Sequence, residues 1–409
     1  MWLYNLGISL YAGGIRLAAL WHGKARLWSE GRRNIFERME AAVRPSDRIV
    51  WVHAASLGEF EQARPIIERL RAEHPEYKIL LTFFSPSGYE IRKNYEGADY
   101  VFYLPADTPS NARRFLDIVH PEIAIFIKYE FWINLLSELR RRKVRSYIVS
   151  AIFRRNSVFF RPYGAMWRQA LETFDTLFVQ NVESKRLLSE IGFDNVVVAG
   201  DTRFDRVAQI AAAAQRVETI ERFRGGGRLF VAGSTGGPDE GILLPLGNAN
   251  PDVKFVIAPH EMDEGRIAHL MRNAKGGAVR YTQCDAATRF DDVQVLVLDT
   301  MGMLSSVYGS ATWAYVGGGF GVGIHNTLEA ATFGLPIAFG PNYGKFKEAR
   351  DMVSLGCAVS VRTAGELAAW FAPLCDDEET LRRASRTAKD YTARNQGATG
   401  IILRSIFNS

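Results

Sequence analysis

What most constrains this chain is a recurring alternation. Short apolar runs of β-type composition are separated by amphipathic stretches, and they come in two series. The first series is IVWVHA (49–54), YKILLTFF (77–84), YVFYLP (100–105), IAIFI (123–127), VRSYIVS (144–150), TLFVQ (176–180) and VVVAG (196–200). An alanine-rich helical stretch (207–223) and the break Gly225-Gly226-Gly227 follow. The second series is RLFVAGS (228–234), VKFVIAP (253–259), VQVLVLD (293–299), TWAYVGG (312–318) and LPIAFG (335–340). Near-continuous apolar strands alternating with helices predict parallel sheets covered on both faces. The expected fold class is α/β, with two Rossmann-like lobes and a cleft between them.

The bulk properties narrow the function. With 409 residues, 47% of them hydrophobic, the chain can build two cores. Cys284, Cys357 and Cys375 show no C-x-x-C spacing, and the seven histidines form no H-E-x-x-H pattern. Neither a disulfide framework nor a metal site is predicted, and a reducing cytoplasm fits. Charge is uneven: residues 1–200 hold 28 Lys/Arg against 22 Asp/Glu, and the remainder 22 against 23. Nine of those basic residues fall in 140–168, which has no acidic residue and carries Phe153, Phe159, Phe160, Tyr163 and Trp167 among them. Such a stretch is either a solvated face or a surface for an anionic, greasy partner, nucleic acid or phospholipid.

The N-terminus favours lipid over nucleic acid. MWLYNLGISLYAGGIRLAALWH has one charged side chain, Arg16, and Lys24, Arg26, Arg32 and Arg33 follow. It lacks the basic start and small-residue cleavage site of a secretory signal, so it is expected to stay on the protein. Its uncharged run of 15 residues falls short of the roughly 20 that span a bilayer. An interfacial helix is expected, with Trp2, Tyr4, Tyr11 and Trp21 near the headgroups. The competing expectation is a helix buried in the protein's own core.

Five loops carry polar chemistry at predicted strand-to-helix turns. In WVHAASLGEFEQ (51–62), Ser56-Leu57-Gly58-Glu59 fits a capping box, yet it also puts Glu59 at the carboxyl end of a sheet, where open α/β folds bind ligands. In the second series, VAGSTGGPDEG (231–241) offers Gly233, Ser234 and Thr235, and IAPHEMDEGR (257–266) offers His260 and Arg266 for an anion. VLDTMGML (297–304) places Asp299, Thr300, Met301 and Gly302 where a base or ribose can lie. The fourth, YVGGGFGVGIHNTLEAATFGLPIAFGPNYG (315–344), lacks the G-x-G-x-x-G fingerprint of dinucleotide folds. It opens a helix with Asn326, Thr327 and Glu329, whose carboxylate can take a ribose diol or cap that helix.

Taken in order, VHAASLGE (52–59), KYEFWIN (128–134), AGST (232–235), DTMG (299–302) and VGGGFGVGIHNTLEAATFGLPIAFGP (316–341) resemble the Kdo transferases of Gram-negative bacteria. These are GT-B glycosyltransferases that move 3-deoxy-D-manno-octulosonic acid from CMP-Kdo to a lipid A precursor. The resemblance implies a catalytic base at Glu59 and a second important carboxylate at Glu130, between Lys128 and Trp132. It implies donor contacts at Ser234, Thr235, His260, Met301, Gly302, Asn326 and Glu329. The acceptor's phosphates are expected at Lys128, Arg154, Arg155 and Arg161. The chain departs from the family pattern in three places. Pro259 runs straight into His260 where Pro-Arg-His is usual, leaving Arg266 as the nearest substitute; Met303 replaces a glutamate; and Asp201-Thr202-Arg203 replaces Asn-Leu-Lys.

The implied reaction is a metal-independent, inverting displacement on Kdo, with CMP-Kdo, a phosphorylated lipid A precursor and a membrane surface as partners and no nucleic acid. The implied location is the cytoplasmic face of the inner membrane. Four segments are expected: a membrane-associating helix (1–30), an acceptor lobe (31–204), a nucleotide-sugar lobe (205–385) and a C-terminal helix (386–409) that packs back on the first lobe. Two other readings stay open, a GT-B enzyme with a UDP-sugar donor and a lipid-surface binding module whose transfer site has decayed.

Overall fold

The computed structural model describes residues 1–408, which divide into two units: Met1–Arg206 with Gln396–Ser409, and Val207–Asn395. Each unit is built on a seven-stranded sheet whose paired strands all run parallel.

In the first unit the strands are β1 (Ile49–His53), β2 (Lys78–Phe83), β3 (Tyr100–Tyr103), β4 (Ile123–Ile127), β5 (Arg145–Ala151), β6 (Thr176–Val179) and β7 (Val196–Val198). Their order is β3-β2-β1-β4-β5-β6-β7. All five residues of β1 are buried. Ile49 and Trp51 pack on one face with Phe115 and Phe126, while Val50 and Val52 pack on the other with Phe60 and Ile66. Burial on both faces is what a centrally placed parallel strand requires, and it explains the unbroken apolar run. The order reverses between β1 and β4, so their following loops diverge and leave a crevice at the sheet's carboxyl edge.

The second unit repeats the plan with β8 (Leu229–Thr235), β9 (Lys254–Pro259), β10 (Ala278–Arg280), β11 (Val295–Val297), β12 (Trp313–Val316), β13 (Ile337–Phe339) and β14 (Ala358–Ser360). The order is β10-β11-β9-β8-β12-β13-β14, reversing between β8 and β12. Leu229 and Val231 face one core cluster, Phe230 and Ala232 the other. The sequence pattern indicated five of these seven strands. The two it missed, β10 and β14, are edge strands, only partly buried, and so lack the apolar run that marks the others.

Both chain ends differ from expectation. In place of one C-terminal helix over 386–409 there are two, Glu378–Arg394 and Ala398–Phe407, broken at Gly397 with φ 104°. The first packs into the second unit through Ala384 and Ala388. The second buries Ile402, Leu403 and Ile406 against the helix Leu57–Glu73, and Asp205 accepts from the backbone N–H of Gly397 and Thr399 at its start.

At the other end, the helix Trp2–Ala18 buries only Ala12, which removes the expectation of a helix sunk in the core. Trp2, Leu3, Leu6, Leu10, Leu17, Leu20 and Trp21 are exposed. Tyr4 is half-buried, and Tyr11, though exposed, has ring partners. Tyr4 donates to Asp107 at 2.7 Å, and Tyr11 packs on Phe84 and Trp28 with ring centroids 6.2 and 6.3 Å apart. No helix among the described residues is long and apolar enough to cross a membrane.

Candidate active site

In the first unit, both candidate carboxylates sit on the loops that leave the switch point. Glu59 lies in the first turn of the helix Leu57–Glu73 after β1, and Glu130 follows β4. The capping box expected at Ser56 does not close. Ser56 is extended (φ −139°, ψ 179°) and makes no side-chain cap bond; its hydroxyl donates to Glu59 Oε2 instead. Glu59 Oε1 has no hydrogen-bond partner among the described residues, so the carboxylate is not consumed by its own helix.

Glu130 is embedded in a buried polar chain. Trp132 Nε1 donates to Glu130 Oε2 at 2.7 Å, and His53 Nε2 stands 3.1 Å from the same oxygen. On the far side of the ring, His53 Nδ1 lies 2.8 Å from Thr82 Oγ1, which accepts from Trp51 Nε1 at 2.8 Å. Both neutral tautomers of His53 find partners. A proton on Nε2 would face the Glu130 carboxylate, with Thr82 Oγ1 donating to Nδ1; a proton on Nδ1 would face the Thr82 carbonyl at 3.2 Å, with Trp132 Nε1 donating to Nε2 at 3.1 Å. His53, Trp51 and Thr82 are fully buried, while the Glu130 side chain keeps 13% exposure.

Tyr129, which precedes Glu130 in the chain, feels the charge of Glu59. Loss of solvent lifts its phenol above the ordinary value; Arg154 pulls it down, and Asp201 and Glu59 push it up. Asp201 is itself buried, accepting from Gln62 Nε2 (2.8 Å) and Arg203 Nε (2.9 Å). The departure Asp201-Thr202-Arg203 therefore forms a brace onto Gln62 of the Glu59 helix, completed by Thr202 Oγ1 donating to the Gln62 carbonyl at 2.7 Å.

The basic segment 140–168 is less of a free surface than its composition suggests. Arg140 pairs with Glu172, Arg141 and Arg142 with Glu138, and Arg155 with Glu190. Arg168 donates to the carbonyls of Phe159 and Arg161. Phe153 and Phe159 are core residues. Of the expected acceptor contacts, the Arg154 and Arg161 side chains make no hydrogen bond or ion pair among the described residues, and Arg155 is engaged. Lys128 adopts a left-handed conformation (φ 62°) directly after β4.

In the second unit, the expected donor residues gather at its own switch point. Ser234 is left-handed (φ 53°) at the end of β8, and buried Thr235 donates to Glu240 at 3.0 Å. Asp239, 1% exposed, accepts from Gly236 N (2.7 Å), Tyr315 Oη (2.7 Å) and Gly318 N (3.1 Å), tying the loop after β8 to the loop after β12. A Cβ on Gly317 would stand 2.2 Å from the Ser234 carbonyl oxygen, so no larger residue fits there. His260 and His325 bring their rings to 4.2 Å, and Arg266 lies 3.5 Å from buried Glu240 beside Gly236. These groups put two imidazoles, a guanidinium and the start of the helix Gly237–Ala249 in one locality, an arrangement suited to an anion. Glu329 accepts from Ser305 Oγ (2.9 Å) and Asn326 Nδ2 (3.0 Å), and Met301 and Gly302 project into solvent.

Sequence reasoning did not find His53, Thr82, Tyr129 or Asp239. His53 lies inside the VHAASLGE motif and so had a signal; Thr82 sits in an apolar strand and had none.

The fold is shared with proteins of the GT-B class. A UDP-GlcNAc 2-epimerase from Neisseria meningitidis superposes with a TM-score of 0.62 at 16% identity, covering 88% of this chain and 100% of that one. Acinetobacter baumannii MurG gives 0.55 at 12%, covering 89% and 100%. Residues 32–206 match the family model of 3-deoxy-D-manno-octulosonic-acid transferase (kdotransferase), ending where the first unit's main segment ends. Two 3-deoxy-D-manno-octulosonic acid transferases extend the likeness: that of Bordetella pertussis is 28% identical over 87% of this chain and 86% of its own, and that of Haemophilus influenzae 25% over 88% and 86%. The chain is thus similar to Kdo transferases over most of its length, and its first unit to their family model.

Proposed function

We propose that this protein transfers Kdo from CMP-Kdo to a phosphorylated lipid A precursor, as an inverting, metal-independent glycosyltransferase of lipopolysaccharide synthesis. The observation that carries the reading is the pair Glu59 and Glu130 on the two loops of the first unit's switch point, within the residues that match the kdotransferase model.

Glu59 would act as general base. Ser56 orients one carboxylate oxygen, the other is free to accept the proton of the attacking primary hydroxyl, and the helix N-terminus favours negative charge there. In the second unit, Ser234 and Thr235, Met301 and Gly302, and Asn326 and Glu329 would hold the nucleotide. The His260–His325 pair, Arg266 and the helix start at Gly237 would stabilise the phosphate as CMP departs. Lys128, Arg154 and Arg161 would meet acceptor phosphates. The exposed apolar side chains of residues 2–21 would lie in the cytoplasmic leaflet of the inner membrane as a peripheral anchor.

The test is a mass-spectrometric assay with freshly generated CMP-Kdo and a tetraacylated lipid A precursor, wild type beside Glu59→Gln. Kdo-bearing lipid from wild type and at least about 100-fold less from the folded variant is expected. Equal product from both would return Glu59 to a structural role. Inhibition by UDP rather than CMP would replace the donor.

A further inference from the structure

Beside Glu130 lies a cavity of about 350 Å³ whose walls come from three places. Tyr4 and Ile8 of the N-terminal helix form one, Trp167 another, and the loop from Tyr129 to Trp132 the third. Glu130 is its only charged lining residue. Both side chains that reach Glu130 converge on Oε2, and Oε1 has no hydrogen-bond partner among the described residues.

The helical wall is held by polar pins. Tyr4 Oη donates to Asp107 Oδ2 at 2.7 Å, and Asp107 also accepts from the backbone N–H of Asn134 and Leu135, at 2.9 Å each, in the first turn of the helix Ile133–Arg142. Asn134 Nδ2 donates to Asn5 Oδ1 at 2.9 Å. Tyr4 stands edge-on to Trp167, with ring centroids 6.4 Å apart. Ile8 is one turn further on and shares that face. The helix that exposes Trp2, Leu3, Leu6, Leu10 and Leu17 thus contributes two fixed residues to the cavity.

The lining selects its ligand by chemistry. An acyl chain would cover the aromatic walls but strand a desolvated carboxylate oxygen without a donor, at a cost of about 1–3 kcal/mol or more. A sugar ring satisfies both features, laying its C–H face on flat aromatic rings while a hydroxyl donates to Oε1. We infer that this cavity is a pyranose subsite for the acceptor sugar, and that the N-terminal helix is one of its walls. The inference rests on the transfer reading for which sugar binds.

The test is saturation-transfer NMR on the full chain with a water-soluble, unacylated glucosamine disaccharide, beside decanoate and choline. Wild type and Glu59→Gln are expected to bind the disaccharide. Trp167→Ala and Ile8→Trp, the second filling the cavity from a half-buried helix position, are expected to weaken that binding at least tenfold. Disaccharide binding unchanged in Ile8→Trp overturns the inference, as does preferential binding of decanoate or choline. Disaccharide binding lost as expected, but with no Kdo transfer by wild type, would sink the transferase reading and leave the subsite standing.

Discussion

Glu130 shows how one carboxylate oxygen is fixed while the other stays available. Trp132 and His53 both approach Oε2, and the buried contacts of His53 with Thr82 hold the ring in place against it. His53→Phe keeps the ring volume and removes the ring nitrogens. It is expected to lower kcat roughly tenfold to a hundredfold with little change in donor KM, because the loss acts through the placement of Glu130. His53→Asn is expected to recover part of that loss, and steady-state kinetics on the three proteins checks both statements. At this scale, Glu59 stood out as a carboxylate at a strand-to-helix turn, and Glu130 entered only through the resemblance of KYEFWIN to a family motif. The His53–Thr82 contact, between residues 29 apart, was not legible in the sequence: two parallel strands must pair before those side chains meet.

Among the elements, the loop after β12 is the least tolerant. Gly317 approaches the Ser234 carbonyl so closely that Gly317→Ala must displace one loop or the other. The expected result is a rise in KM for the nucleotide sugar of roughly tenfold, about 1.4 kcal/mol, with acceptor KM unchanged. A change in acceptor KM alone would contradict the placement of the donor. The N-terminal helix gives a second prediction. Tyr4→Phe removes the pin to Asp107 at a cost of about 1–2 kcal/mol. Amide exchange should then accelerate across residues 2–18 and at the amides of Ile133, which donates to the Tyr4 hydroxyl at 3.3 Å, Asn134 and Leu135, and not elsewhere. Apolar runs made the central strands readable, whereas β10 and β14 escaped because both lie at sheet edges, where partial burial demands no such run. The aromatic N-terminal segment read as uniformly interfacial because composition does not say which aromatics find partners; Tyr4 and Tyr11 find them, Trp2 and Trp21 do not.

For the molecule as a whole, the His260–His325 pair predicts an acid limit. Burial and the neighbouring His260 hold the His325 imidazole below its ordinary value, against the pull of Asp239. The unfolded chain therefore binds this proton more readily, so stability rises with pH and is lost as pH falls below about 6.5. Thermal unfolding between pH 7.5 and 5.5 should show a steeper loss of Tm in wild type than in His325→Phe. Parallel slopes would remove this pair as the cause.

The sequence by itself determined that the chain is two α/β units of parallel strands and that carboxylates stand at strand ends, because hydrophobic period and turn chemistry are local properties. Strand order was decided only by tertiary structure, since pairing β1 with β4 and β8 with β12 joins residues about 70 to 80 positions apart. Those pairings create the switch points. They set Glu59 near Glu130 and Ser234 near Gly317, and they bring Tyr4 to a cavity whose remaining walls lie more than a hundred residues along the chain.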